Sequence, residues 1–304
     1  MNQDPEQPVD FKTRALCGTS MLLISSIGLF LNTLIFYRFA SFKKLSSGFY
    51  VLCFSKAIGN AIICLINLLW IGPAILIGSL FLPLLANEFL GQLNEYGIYI
   101  MGPLTQMLMA IDRFLIIFMP LSVSDRQRCR FSRRSVIGCW IASMIFMGVS
   151  FRNNCWVPFS LEELNYKPFN VPCDEFNLQA LSFLCIFLAV TSSSLQFLTL
   201  LRLLVLFSNK AIHRSSTNRR RRTIRLFVQS VIQDCLHCLD LLNSNNYFGF
   251  ETTIGHFFIY TFSLVFVHAT DGLIMCLFHF AAASNRKSAP TSRIVRVTEE
   301  QKSP

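Results

Sequence analysis

Residues 110–121 read AIDRFLIIFMPL. Asp112 and Arg113 stand side by side in an otherwise apolar stretch, and Pro120-Leu121 closes it. A charge near the centre of a bilayer costs several kcal/mol unless it is paired or hydrated, so each such residue is a functional candidate. An ordinary alternative is that both side chains snorkel to an interface one turn away. Which reading holds depends on the chain around them.

That chain is apolar throughout. Of its 304 residues 53% are hydrophobic and only 14% charged, with 30 Phe and a mean hydropathy of +0.48. Soluble domains carry about 25% charged residues, so the composition is that of a membrane protein. On a ruler of roughly 20 apolar residues per span, seven segments emerge, at 15–37, 48–76, 90–119, 135–152, 178–207, 224–243 and 253–281. The second and third are divided at 77–89, where Gly78, Pro83, Asn87 and Glu88 cluster. The expected fold is an all-α seven-transmembrane helix bundle spanning 15–281, between a short N-terminal segment 1–14 and a tail 282–304.

Lys and Arg set the direction of such a bundle. The connections 38–47, 120–134 and 208–223 and the tail hold most of the basic residues, whereas 77–89 and 244–252 hold none and 153–177 holds only Lys167. Glu88, Glu162, Glu163, Asp174, Glu175 and Glu251 all fall on the basic-poor side. The expected topology therefore has the N-terminus outside and the C-terminus cytoplasmic, in a multi-pass protein of the plasma membrane. The N-terminal MNQDPEQPVDF lacks the basic region and apolar core of a cleaved signal peptide. The run Arg219–Arg222 lies between two apolar segments and reads as a lipid-facing loop rather than a nucleic-acid patch.

Cys53, Cys64, Cys139, Cys185 and Cys276 are scattered singly through the segments and read as small hydrophobes. Cys155 and Cys173 fall in the outside loop, on the oxidising side, where a bridge closing that loop is worth about 3 kcal/mol in the chain-entropy model. Cys235-Leu-His237-Cys238 has no second ligand pair, so neither a metal nor another cofactor is expected. The polar residues inside the segments are few. Asn32, Lys56, Asn60, Asp112 and Arg113 lie in the first three, Asp234, His237 and Asp240 in the sixth, and His256, His268 and Asp271 in the seventh.

On these residues the chain resembles rhodopsin-like G-protein-coupled receptors. Asp112-Arg113-Phe114 with Pro120-Leu121 is similar to their Asp-Arg-Tyr signature, and Trp140 stands where their fourth-helix tryptophan falls. Gly28 and Asn32 resemble the first-helix asparagine motif, and Asp271-Gly272-Leu273-Ile274-Met275 a degenerate Asn-Pro-X-X-Tyr. Asn60 occupies the second-helix aspartate position, so the chain keeps one carboxylate in a central cluster of Asn32, Asn60 and Asp271 but moves it to the seventh helix. These three are expected to meet through water. The sixth segment lacks Cys-Trp-X-Pro, and the third lacks the cysteine that usually ties it to the outside loop. Those departures mark a divergent branch. SSGFYVLCFSKAIGNAIIC (46–64), LGQLNEYGIYIMGPLTQMLMAIDRF (90–114), FVQSVIQDCL (227–236) and VHATDGLIMCLFH (267–279) resemble nematode chemoreceptors of the serpentine receptor class x family.

The resemblance implies a receptor for an external small molecule or short peptide that signals to a heterotrimeric G protein. In it, Asp112 restrains Arg113, and Phe114 completes the switch. The basic loop SNKAIHRSSTNRRRR (208–222) then lies beside the coupling cleft and anionic lipid. The expected pocket lies between helices near the outer leaflet, with Asp240 first among the candidates because a buried carboxylate requires a cationic or donor partner. His237, Tyr96, Tyr99, His256 and Tyr260 stand at a similar depth. The alternative reading is a membrane transporter or a ligand-gated channel, with Gly72-Pro73 and Gly102-Pro103 as candidate helix breaks. No internal repeat or filter loop is evident, however, and no Gly-X-Ser-X-Gly or His-Glu-X-X-His points to an enzyme.

Overall fold

The computed structural model describes residues 9–41, 47–119, 124–152, 155–167, 171–208, 217–244 and 252–287. Seven long helices dominate them. They are α1 (Phe11–Ser41), α2 (Gly48–Ile77), α3 (Leu84–Phe118), α4 (Asp125–Arg152), α5 (Val171–Ser208), α6 (Thr217–Ser244) and α7 (253–287). They run alternately up and down. The connections after α2 and α4 lie at one end of the bundle with a small antiparallel hairpin, β1 (Phe159–Ser160) and β2 (Asn165–Tyr166). We call this the hairpin end, and the opposite one, where Asp112 lies, the basic end.

Caps fix where several helices start, and for α1 and α4 that start lies ahead of the hydropathy boundary. Ser124 and Gln127 form a reciprocal box, in which Gln127 N donates to Ser124 Oγ (3.3 Å) and Ser124 N to Gln127 Oε1 (3.0 Å). Thus α4 begins at Asp125 rather than at 135, and carries Arg126 to Arg134 on its first turns. Asp10 caps α1 by accepting from Thr13 N and Lys12 N, and Thr252 caps α7 by accepting from Gly255 N. Helix α5 begins at Val171 and α6 at Thr217, so the backbone of Arg219–Arg222 is helical rather than a loop. Their side chains, with Pro120 and Leu121, lie outside the described residues.

The break between α2 and α3 is shorter than 77–89. Gly78 ends α2 at φ +76°, a left-handed conformation that favours glycine, and its N–H returns to Ala74 O (2.8 Å). Pro83 precedes the first turn of α3, so Asn87 and Glu88 are helical. Within both helices a π-helical stretch lies just N-terminal to a Gly-Pro pair: Asn67–Ile71 before Gly72-Pro73, and Leu93–Ile98 before Gly102-Pro103. Proline lacks the N–H that would close the preceding turn, and the widened turn absorbs the mismatch. A third π stretch, Phe257–Phe262, occupies the start of α7.

The surface is apolar and the interior is where the polarity lies. Phe183 is 72% and Phe30 67% exposed, while Asn32, Asn67, Gln92, Gln229, Gln233 and Asp271 are fully buried. Five helices are long and apolar enough to cross a membrane, and among the described residues α4 and α6 do not meet that measure. For α6 the cause is visible: Gln229, Ser230, Gln233, Asp234, His237 and Asp240 all turn inward. Two larger apolar clusters lie toward the two ends of the bundle. One contains Ile63, Trp70, Phe159 and Phe257 toward the hairpin end, and the other Phe39, Phe49, Met109 and Met275 toward the basic end. The polar layer separates them.

Candidate functional site

Three features lie along the bundle axis. The first is a cavity of about 210 Å³ at the hairpin end. Its walls come from α3 (Glu95, Tyr96, Tyr99), α5 (Leu181, Ser182, Cys185), α6 (Asp240, Leu241), α7 (Ile259, Tyr260, Leu264) and the hairpin region (Val157, Asn165, Tyr166). The π stretches of α3 and α7 supply Glu95 and Tyr96, and Ile259 and Tyr260. Asp240 accepts from Ser263 Oγ (3.2 Å) and from the Tyr99 hydroxyl. Glu95 accepts from Asn94 Nδ2 (3.4 Å), which also donates to the Tyr166 hydroxyl (2.9 Å). Burial, with the Glu95 carboxylate second, holds the Tyr166 hydroxyl well above its usual pKa, so it remains a neutral group.

The hairpin roofs this cavity by specific bonds. Asn87 of α3 pairs with the Phe159 backbone in both directions, donating to its carbonyl (3.3 Å) and accepting from its N–H (3.2 Å). Thr261 of α7 donates to Leu164 O (2.9 Å) and to Asn165 Oδ1 (3.2 Å). Leu164 takes φ +52° at the turn and buries its side chain completely. Cys155, at the start of this segment, is disulfide-bonded; the side chain of Cys173 lies outside the described residues.

The second feature is a buried polar cluster at mid-depth. Asn60 Nδ2 donates to Asn32 Oδ1 (3.2 Å) and lies 3.5 Å from Asp271 Oδ2. Asn32 donates to Gly28 O and His268 O, and His268 Nδ1 bonds Asn60 Oδ1 at 2.8 Å. Asn60 thus contacts both Asn32 and Asp271 directly, where the sequence suggested water between them. Close approach of α1 and α7 makes this possible, since a Cβ on Gly272 would lie 2.7 Å from Asn32 Nδ2. Lys56 completes the cluster. Its Nζ lies 2.7 Å from Asp271 Oδ2 and donates to Gln106 Oε1 (3.1 Å), and Gln106 in turn donates to Ser230 O of α6 (2.7 Å). His237 Nε2 lies 3.4 Å from the same Asp271 oxygen.

The third feature is the Asp112–Arg113 pair of α3. Arg113 Nη2 donates to Asp112 Oδ2 at 3.0 Å with both side chains buried, and the guanidinium lies 3.9 Å over the Phe49 ring. Asp112 sits against Gly48, where a Cβ would lie 3.2 Å from Asp112 Oδ1. Phe114 stacks on Phe118 instead of joining the pair. Trp140 of α4 donates to Ser55 Oγ (3.0 Å) and so ties α4 to α2.

The model of the serpentine type 7TM GPCR chemoreceptor Srx family matches residues 22–279, nearly the whole bundle. The chain belongs to the Srx chemoreceptors. Among solved structures, the crystal structure of squid rhodopsin matches at a TM-score of 0.70 and 15% identity, covering 94% of this chain and 89% of that chain. At that identity the likeness is one of fold. It is the seven-helix fold of rhodopsin in a multi-pass membrane protein. None of the curated proteins matches.

Within this Srx chain the pocket candidates divide. Asp240, Tyr96, Tyr99 and Tyr260 line the main cavity. His237 instead lines a smaller void of about 20 Å³ that shares Tyr99, Cys185 and Leu241 with it, and reaches Asp271 from there. His256 stacks on Tyr260 (5.6 Å) from outside the wall. Sequence reasoning missed Glu95 and Tyr166, and it noted Lys56 without a partner. The available signal for Lys56 was its spacing, since residues 56 and 60 are one helical turn apart on one face.

Proposed function

We propose that this Srx receptor is a G-protein-coupled chemosensory receptor of the plasma membrane. Its hairpin end faces outside, its C-terminus is cytoplasmic, and it carries an external small-molecule cue to a heterotrimeric G protein. The observation that carries this reading is an axial arrangement. A cavity with acidic and aromatic walls stands at one end, a buried ion pair on α3 at the other, and a polar cluster joins α1, α2, α3, α6 and α7 between them. The charge distribution supports the orientation, since basic residues concentrate at the Asp112 end.

In this reading the ligand shifts an equilibrium between two packings of the bundle. Asp240 and His237 are one turn apart on α6, so a ligand held by Asp240 acts on the helix whose His237 faces Asp271. Movement of α6 alters the Gln106–Ser230 bond and thereby the Lys56 contact. At the basic end the Asp112–Arg113 pair is the resting state, and release of Arg113 completes the G-protein surface. Cys155 and Cys173 form the bridge that closes the outside loop. The test is a cell-based assay across odorants and small metabolites, with Arg113→Ala run alongside. Ligand-driven nucleotide exchange that disappears in that variant supports the reading. A ligand response unchanged by it contradicts the mechanism.

A further inference from the structure

The cavity carries two carboxylates and, among its described lining residues, no Lys, Arg or His. Two of the other buried acids have a counter-charge, Asp271 with Lys56 at 2.7 Å and Asp112 with Arg113 at 3.0 Å, whereas Asp234 is held by the hydroxyls of Ser192 (3.0 Å) and Ser193 (3.1 Å). The two acids of the cavity have no such ion pair among the described residues; the nearest basic side chain on α6, His237, stands one turn from Asp240 and faces Asp271 instead. The donors to Asp240 are the hydroxyls of Ser263 and Tyr99, and the donor to Glu95 is the Asn94 amide. All are neutral. Neither carboxylate has a cationic side chain within 4.0 Å among the described residues. Burying a carboxylate is expensive without a compensating charge, so the missing positive charge marks what this cavity is complementary to.

The remaining walls fit the same ligand. Tyr96, Tyr99, Tyr166 and Tyr260 contribute four aromatic rings around about 210 Å³. Aromatic faces attract organic ammonium groups, most strongly in desolvated sites. Leu181, Leu241, Ile259 and Leu264 offer apolar surface for a hydrocarbon body. An anionic ligand would meet two acids and no described basic group.

We propose that the hairpin-end cavity binds a compact organic ammonium, its charge shared between Glu95 and Asp240 and its body packed among the four tyrosines. This rests on the receptor reading of the cavity, and it adds the chemical class of the ligand. Glu95 is the specificity-determining residue that the pocket candidates from the sequence did not include.

The test uses the full chain in phosphatidylcholine nanodiscs and three probes of matched shape: phenethylammonium, 2-phenylethanol and 3-phenylpropanoate. Equilibrium binding and ligand-driven nucleotide exchange are read separately. The expected result is saturable binding of the ammonium, at least tenfold tighter than the alcohol, with no binding of the carboxylate. Glu95→Gln and Asp240→Asn should each weaken ammonium binding tenfold or more and leave the alcohol unchanged, and Glu95→Asp should recover part of the loss. The wild-type comparison of the three probes stands even where a variant folds poorly. Equal or tighter binding of the alcohol or the carboxylate overturns the proposal, as does ammonium binding that survives both substitutions, or its absence. A carboxylate that binds and drives exchange removes the cation assignment and leaves the receptor reading standing. Ammonium binding that drives no exchange on any G protein does the reverse.

Discussion

Lys56 Nζ and Asp271 Oδ2 lie 2.7 Å apart, with side chains only 1% and 0% exposed, and they join α2 to α7 at the centre of the bundle. Removing one partner of a buried pair leaves an uncompensated charge and costs about 3–5 kcal/mol, whereas replacing both by apolar residues is often neutral. Asp271→Leu alone should therefore lower thermal stability much more than the double variant Lys56→Met with Asp271→Leu. A thiol-reactive dye can follow unfolding through the buried thiols of Cys53 and Cys64. Equal destabilisation in both variants would remove the pair from this account.

Asn60 lies one helical turn from Lys56 and within 3.5 Å of Asp271 Oδ2, so a carboxylate at position 60 remains within the cluster. Exchanging the two groups, Asn60→Asp with Asp271→Asn, should retain more ligand-driven nucleotide exchange than Asp271→Asn alone. If both lose signalling equally, the carboxylate matters for its place on α7 and not for the cluster.

At the basic end, Asp112→Asn removes the charge that holds Arg113. Ligand-independent exchange should rise about tenfold, which requires only ~1.4 kcal/mol of shift between the two states. Arg113→Ala should instead reduce exchange to background with ligand affinity retained. Unchanged basal exchange in Asp112→Asn would show that the pair is structural.

Asn87→Ala would orphan both the N–H and the carbonyl of buried Phe159. Leaving such groups unpaired costs about 1–3 kcal/mol each. Backbone amides of 159–166 should exchange with deuterium faster in that variant, while those of 101–118 keep their protection. Uniform acceleration across the chain would mean that the hairpin is not a separate roof.

Cys155→Ala and Cys173→Ala should each lower stability by about 3 kcal/mol, with the double variant no worse than either alone. Peptide mapping without reduction checks the pairing directly. Additive losses would show that Cys155 has another partner.

Much of the bundle was legible because long apolar segments are set by composition alone, and Asp112 and Arg113 stood out by contrast with their neighbours. Asn32, Asn60 and Asp271 were legible as a group through motif spacing. The Lys56–Asp271 bond was not, because its residues lie 215 positions apart and each could be satisfied locally. Glu95 was hidden for a different reason. It lies within the π stretch Leu93–Ile98, where helical phase slips, so a 3.6-residue pattern misjudges which side chains point inward. The hairpin pairs only two residues per strand, too few for any alternation to show. The starts of α4, α5 and α6 were missed because polar turns extend these helices beyond their greasy portion, in α4 behind the Ser124 cap.

The π stretches at Leu93–Ile98 and Phe257–Phe262 have a consequence for how this receptor can diversify. A π turn is one extra residue accommodated by an otherwise regular helix. Gaining or losing that residue re-phases the wall that carries Glu95, Tyr96, Ile259 and Tyr260, while the frame beyond Gly102 and Ser263 stays in register. On the proposed reading, the cavity at one end of the molecule can thus drift by single-codon insertions and deletions while the Asp112–Arg113 end is left undisturbed.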